Sequence, residues 1–262
     1  MGITQLSLTN KVAIVTGASS GLGAVIAEQF AAAGCHLVLA SRGEDALKQV
    51  ATQLQKTYGV QVLALETDIS NLSAVQKMVA AAIKQFGKID ILVNNAGVLD
   101  TGLKSAANYL DTDFERVVAV NQRGTMQVTR AVLPQMEKQG GGSIVNVASI
   151  AGVHGCGGAV YSATKGALIA FTKHVALRYA GTPSYIRCNV VCPGSIITPM
   201  TTNIDMQQTE SAMFAQMSAH ADLRHCRPCQ PNEVANTVLF LASDAALPIT
   251  GQAIVTDFGA YL

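Results

Sequence analysis

Tyr161-Ser162-Ala163-Thr164-Lys165 sets a phenol four residues before an ammonium. On a helix, positions i and i+4 share a face, so Tyr161 and Lys165 become neighbours. A free phenol ionises near pH 10. Acid–base work near neutrality needs a value about 3 units lower, or about 4 kcal/mol of phenolate stabilisation. An adjacent cation supplies part of it. A bare Y-x-x-x-K is common on solvated helix faces. Here it follows, by one loop, a strand ending at Ser149, which makes the constellation far more specific.

A second cluster is Thr16-Gly17-Ala18-Ser19-Ser20-Gly21-Leu22-Gly23, directly after the first apolar run. Glycines let the chain turn sharply and approach a pyrophosphate, which rests on the amides of a helix N-terminus. A ligand-free strand–helix turn is the plainer alternative. After the second apolar run stands Ser41-Arg42. A carboxylate there would accept hydrogen bonds from the adenosine ribose of NAD and repel a 2′-phosphate. A hydroxyl followed by a guanidinium suits that phosphate instead. The residues therefore favour NADP(H), with NAD(H) as the fallback. An exposed Arg opening a helix is the competing explanation.

These residues need a scaffold, and the chain alternates short β-rich runs with helical patterns. Strands are expected at Lys11–Thr16, His36–Ser41, Val60–Glu66, Ile89–Asn94, Ser143–Ala148, Ile186–Cys192 and Ala253–Thr256. Helical spacing marks Gly21–Gly34, Glu44–Tyr58, Asn71–Phe86, one or two helices in Asp111–Lys138, Ala159–Ala180 and Asn232–Ala242. Asn71 or Ser70 caps the third and Asn232 the last. The alternation predicts an α/β fold: a doubly wound, parallel, seven-stranded, Rossmann-like sheet with helices on both faces, in three α/β/α layers. One domain spans 1–262, with a substrate-loop insertion at about 195–225. Ligands of such sheets sit beyond the carboxyl ends of the strands, where both clusters fall.

Composition narrows the function classes. Hydrophobic residues make up 49% and charged residues 13% of the 262, against about 25% charged in ordinary domains. That excludes a disordered chain. A net charge of +1 carries no footprint for nucleic acid or anionic membrane. Met1–Asn10 lacks the pattern of a secretory signal, and apolar stretches break well before about 18 residues. A cytoplasmic protein is expected. Six cysteines then read as reduced, mostly buried thiols. Cys226 and Cys229 form a C-x-x-C beside His225. With no second C-x-x-C or paired His to follow, no metal site is expected.

Taken together, the motifs resemble those of the short-chain dehydrogenase/reductase family, over about Leu8 to Gly259. The Thr16–Gly23 loop matches its cofactor loop, with Gly17, Ser19, Ser20, Gly21, Leu22 and Gly23 as contacts. Asp68 with Ile69 matches the adenine contact, and Asn94-Asn95-Ala96-Gly97 its N-N-A-G segment. Asn121, Ser149, Tyr161 and Lys165 match its catalytic tetrad. Pro193-Gly194-Ser195-Ile196-Ile197-Thr198 matches its P-G-x-I-x-T segment, with Ile196 and Thr198 against the nicotinamide carboxamide.

The resemblance implies an NADP-dependent oxidoreductase exchanging hydride with a carbonyl or secondary alcohol. Tyr161 would be the acid/base and Ser149 the oxyanion donor. Lys165 would lower the Tyr161 pKa and bind the nicotinamide ribose, and Asn121 would hold a proton-relaying water. It also implies a small-molecule partner and a homotetramer built through the long helices. A 3-oxoacyl-thioester reductase, an epimerase or dehydratase of the same fold, and a non-catalytic nucleotide sensor are the alternatives. Two departures stand out. Ser149 and Tyr161 lie twelve residues apart where the family commonly has thirteen, so loop His154–Gly158 absorbs a deletion. The terminal V-D-G-G is replaced by Thr256-Asp257-Phe258-Gly259. His154 is expected to be a solvated loop residue. Met200, Met206, Met213 and Met217 are read as lining a flexible substrate lid.

Overall fold

The computed structural model describes residues 6–223 and 225–262; the side chains of 217, 218 and 220–223 lie outside the description. The element order is β1 Val12–Thr16, α1 Gly21–Ala32, β2 His36–Ser41, α2 Glu44–Tyr58, β3 Val62–Glu66, α3 Leu72–Phe86 and β4 Ile91–Asn94. Then come α4 Asp111–Val117, a π-helical segment Val118–Gly124, α5 Thr125–Gln139, β5 Gly141–Val147, α6 Ala151–His154 and α7 Ala159–Tyr179. The chain closes with β6 Tyr185–Pro193, α8 Pro199–Thr202, α9 Ser211–Leu223, α10 Pro231–Ala242 and β7 Ala253–Thr256.

The seven strands form one sheet in the order β3-β2-β1-β4-β5-β6-β7, every pair parallel. All five residues of β1 and all four of β4 are buried, as a sheet covered on both faces demands. On one face, Leu22, Ile26 and Phe30 of α1 pack with Leu47 of α2 and Val234, Val238 and Leu241 of α10. On the other, Val75 and Met78 of α3 meet Val128, Val132 and Met136 of α5 and Val175 and Tyr179 of α7. Each such fully buried side chain contributes about 1.5–3 kcal/mol. The strand order reverses between β1 and β4, and a crevice opens there beyond the carboxyl ends of the strands.

Element ends follow local chemistry. Asn71, not Ser70, caps α3, its side chain accepting the Ala74 amide at 3.2 Å. The cap of α10 is Gln230, not the expected Asn232. Pro231 fits the first helical position because it has no amide to satisfy. The Glu233 carboxylate then reaches back to the Gln230 amide at 2.8 Å. Asp111–Lys138 resolves into α4 and α5 joined by the π segment. The Met-rich stretch after Thr198 forms α8 and α9.

Candidate active site

The β1–α1 turn is built by missing side chains. Gly17 sits at φ +67°, and a Cβ there would come within 2.9 Å of Ala96 and Asn95. A Cβ on Gly23 would lie 2.2 Å from the Gly17 carbonyl oxygen. The loop is thus clamped between β1 and the N-N-A-G segment. Thr16 Oγ1 accepts the Asn95 and Ala96 amides at 3.0 and 3.1 Å, and Asn95 Nδ2 donates to the Thr16 carbonyl at 3.0 Å. Helix α1 begins with no acidic residue in its first turn and no side-chain cap. Its amino end faces the cleft with positive dipole and uncommitted amides, which suits a pyrophosphate.

One continuous cleft collects the nineteen residues expected to touch cofactor. Gly17, Ser19, Ser20, Gly21, Leu22 and Gly23 line its floor. Ser41, Arg42, Asp68 and Ile69 line one end, and Asn95, Ala96 and Gly97 the middle. Tyr161, Lys165, Pro193, Gly194, Ile196 and Thr198 line the other end, beside Ser149. A backbone cradle that excludes any Cβ, an unopposed helix N-terminus and hydroxyls on both walls fit a dinucleotide. Ser19 and Ser41 are joined by their hydroxyls at 2.8 Å, which ties the glycine loop to the end of β2. Asp68 is turned toward Ser70, accepting from its amide and hydroxyl at 2.9 and 2.7 Å.

The catalytic candidates converge from three elements. Ser149 follows β5, Tyr161 and Lys165 lie on α7, and Asn121 lies in the π segment. Lys165 is buried, donates to the Val147 carbonyl at 2.8 Å and sits 5.5 Å from the Tyr161 ring centroid. Burial pulls its pKa down to about 8. Against the lowering expected from Lys165, burial pushes Tyr161 up to about 12, opposed by a hydrogen bond with Ser149 and reinforced by the Asp100 and Cys156 charges. Asn121 does not line the cleft. It is fully buried and grips both backbone groups of Val98, accepting its amide at 2.8 Å and donating to its carbonyl at 2.9 Å. It also reaches Thr164 Oγ1 at 3.3 Å, linking the N-N-A-G strand end to α7.

His154 is exposed but stacks on Tyr261 at 5.1 Å, so a C-terminal aromatic rests on the shortened loop. The Cys229 thiol donates to the Thr256 carbonyl and the Cys226 thiol to the Phe258 carbonyl, at 3.3 and 3.4 Å. The C-x-x-C pins the C-terminal segment. Among the described residues no His/Cys/Asp/Glu group could hold a metal, and no helix is long and apolar enough to cross a membrane. Met200 lines the cleft and Met206 is exposed. Met213 is half-buried, and the Met217 side chain lies outside the described residues. Thr16 and Asp100 were missed. Thr16 lies inside the quoted loop, but its hydroxyl role depends on β4 arriving beside it. Asp100 left no local signal.

A doubly wound sheet with a glycine cradle at its switch point, and a buried lysine beside a tyrosine at the far end, defines a nicotinamide-dependent oxidoreductase. Residues 11–209 match the family model for short chain dehydrogenases. The chain is 41% identical over 258 residues to 2-(R)-hydroxypropyl-CoM dehydrogenase of Xanthobacter autotrophicus, covering 96% of this chain and 98% of that one. It is 38% identical over 255 residues to 3beta-hydroxysteroid dehydrogenase 2 of Eggerthella lenta, covering 96% and 95%. Among solved structures it resembles a 3-ketoacyl-(acyl-carrier-protein) reductase from Brucella melitensis complexed with NADH. That match has TM-score 0.84 and 33% identity, over 98% of this chain and 100% of that one. It equally resembles a variant of actinorhodin polyketide ketoreductase with NADPH, at TM-score 0.84 and 34% identity over 95% and 97%. The chain belongs to the short-chain dehydrogenase/reductase family, whose members use NAD(P)(H) and act on CH–OH groups and carbonyls.

Proposed function

We propose that the protein is a reversible carbonyl reductase and alcohol dehydrogenase that prefers NADP(H) to NAD(H). One observation carries the preference. Strand β2 ends in Ser41–Arg42 with no carboxylate, and both residues line the cleft where an adenosine ribose would lie. An exposed guanidinium and a paired hydroxyl there favour a 2′-phosphate. The domain is read as spanning 1–262, with the substrate loop at about 195–225. Only Asp205 and Glu210 are charged between Thr198 and His220. That absence of basic side chains supports a small neutral substrate over a phosphorylated carrier thioester. A cytoplasmic homotetramer is the proposed setting, supported by the low charge content and by exposed Phe114, Met126 and Leu177 on α4, α5 and α7.

When bound, the nicotinamide supplies hydride exchange with the substrate carbon. The side chains handle the proton and the charge. In reduction, the Tyr161 hydroxyl gives its proton to the carbonyl oxygen; in oxidation it takes the proton back. Ser149 donates a hydrogen bond to the same oxygen, a fixed dipole aimed at developing charge. Lys165 stabilises the Tyr161 phenolate and is placed to donate to ribose hydroxyls. Asn121 fixes the Val98 backbone and, through Thr164, braces the helix that carries Tyr161 and Lys165.

The test is steady-state kinetics on a carbonyl and alcohol panel with NADPH and NADH, in wild type and Arg42→Ala. We expect higher kcat/KM with NADPH, and a loss of roughly 10–100-fold with NADPH alone in the variant. Faster turnover with NADH, unchanged by Arg42→Ala, would overturn the preference.

A further inference from the structure

We propose that Asp100 is a positioning residue for Tyr161: its buried carboxylate holds the amino end of the catalytic helix, and its charge sets how readily the phenol ionises. The inference rests on Tyr161 being the acid/base.

Asp100 is 4% exposed and lies in the loop after β4, two residues beyond the Val98 backbone that Asn121 grips. The Val160 and Tyr161 amides face its carboxylate, and the Tyr161 N–H donates to Oδ2 at 3.4 Å. The next free amide of that helix end, on Ala159, donates to the Lys104 carbonyl at 2.8 Å. The loop after β4 thus accounts for the first amides of α7, although no residue adjacent to α7 in sequence caps it. The fit is close. A Cβ on Gly158 would lie 2.2 Å from both carboxylate oxygens, so glycine is required there for Asp100 to reach the helix.

The carboxylate is also held rigidly and left partly unsatisfied. Arg116 of α4 donates to the Leu99 carbonyl at 2.8 Å, and the Thr101 amide donates to Asp113 at 2.7 Å. Both neighbours of Asp100 are therefore fastened to α4. Asp100 Oδ1 is buried without a hydrogen bond. An uncompensated carboxylate oxygen beside a helix terminus is costly as a cap alone. Its charge, however, opposes ionisation of the phenol on the same residue whose amide it holds. The groups facing Tyr161 are Ser149, Cys156, Lys165 and Asp100: Asp100 and Cys156 oppose the phenolate, the Ser149 hydrogen bond favours it, and the Lys165 ammonium lies 5.5 Å from the ring centroid. Asp113, paired with Arg116 at 2.6 Å, is the charge facing Asp100 from α4. Asp100 adds to burial in keeping the phenol protonated, which suits a proton donor in carbonyl reduction.

Asp100→Asn keeps the acceptor and the volume but removes the charge. We expect the ascending limb of kcat/KM for alcohol oxidation to move to lower pH by roughly half to one unit, at near-native melting temperature. A helix cap acting only through its hydrogen bond would leave that limb in place. Asp100→Ser, shorter and neutral, should shift the limb in the same direction even if Asn packs poorly. Superimposable profiles for wild type and the neutral variants would overturn the proposal. Tyr161→Phe, measured alongside, separates the two readings. If it is inactive and the limbs do not move, only the role of Asp100 fails; if it turns over normally, the role of Tyr161 fails first.

Discussion

Tyr161 and Lys165 are shifted in opposite directions by one cause. Burial disfavours charge on both, raising the phenol to about 12 and lowering the ammonium to about 8. The resting pair is therefore a neutral phenol beside a lysine that titrates not far above neutrality. The sign of the pH dependence follows. A raised phenol pKa keeps the proton donor populated through neutrality and withholds the base. Reduction should stay flat from about pH 6 to 8 and fall in alkali, whereas oxidation should climb with pH through the apparent pKa of the coupled pair. Oxidation kcat/KM that declines between about pH 7 and 9 would contradict this. The tyrosine, the lysine and the glycines were legible because each follows from spacing within one element. Asp100 was not. Its role arises from a loop crossing to a helix that begins 59 residues later, and a lone Asp in a loop carries no local mark of burial.

The β1–α1 turn shows what one element contributes. Its three glycines were read as permissive of a pyrophosphate, and the structure adds a packing reason. A Cβ on Gly23 would run into the Gly17 carbonyl, so any side chain must push the helix off the strand. Gly23→Ala should cost about 1–3 kcal/mol of stability by overpacking, read as a lower melting temperature. It should also raise the Kd for NADPH by tenfold or more in calorimetric titration, whereas native-like binding would remove the turn from the cofactor site. Strand positions were legible to within two residues, since buried parallel strands read as unbroken apolar runs. The π segment was not. Its register slip coincides with Asn121, whose side chain satisfies Val98 rather than its own helix. Helical periodicity sees only an unbroken stretch there.

At the scale of the molecule, the charge-poor composition divides in two. Much of it is explained by a sheet buried on both faces. The rest sits on the surface: Leu177 of α7 is 79% exposed, with Phe114 of α4 and Met126 of α5 also open. Solitary exposed apolar side chains are ordinary, but these lie on the helices proposed to make subunit contacts. Analytical ultracentrifugation should find wild type at four times the 27.3 kDa chain mass. Leu177→Glu should shift the mass toward dimer or monomer by burying an unpaired charge in the interface. A monomeric wild type would refute the tetramer.

The central claim is that Tyr161 moves the proton. Tyr161→Phe keeps the ring, the helix and the cleft, and removes only the hydroxyl. Turnover of a carbonyl substrate with NADPH should fall by about a thousandfold or more while NADPH still binds with near-native affinity. Near-full turnover in this variant would contradict the account.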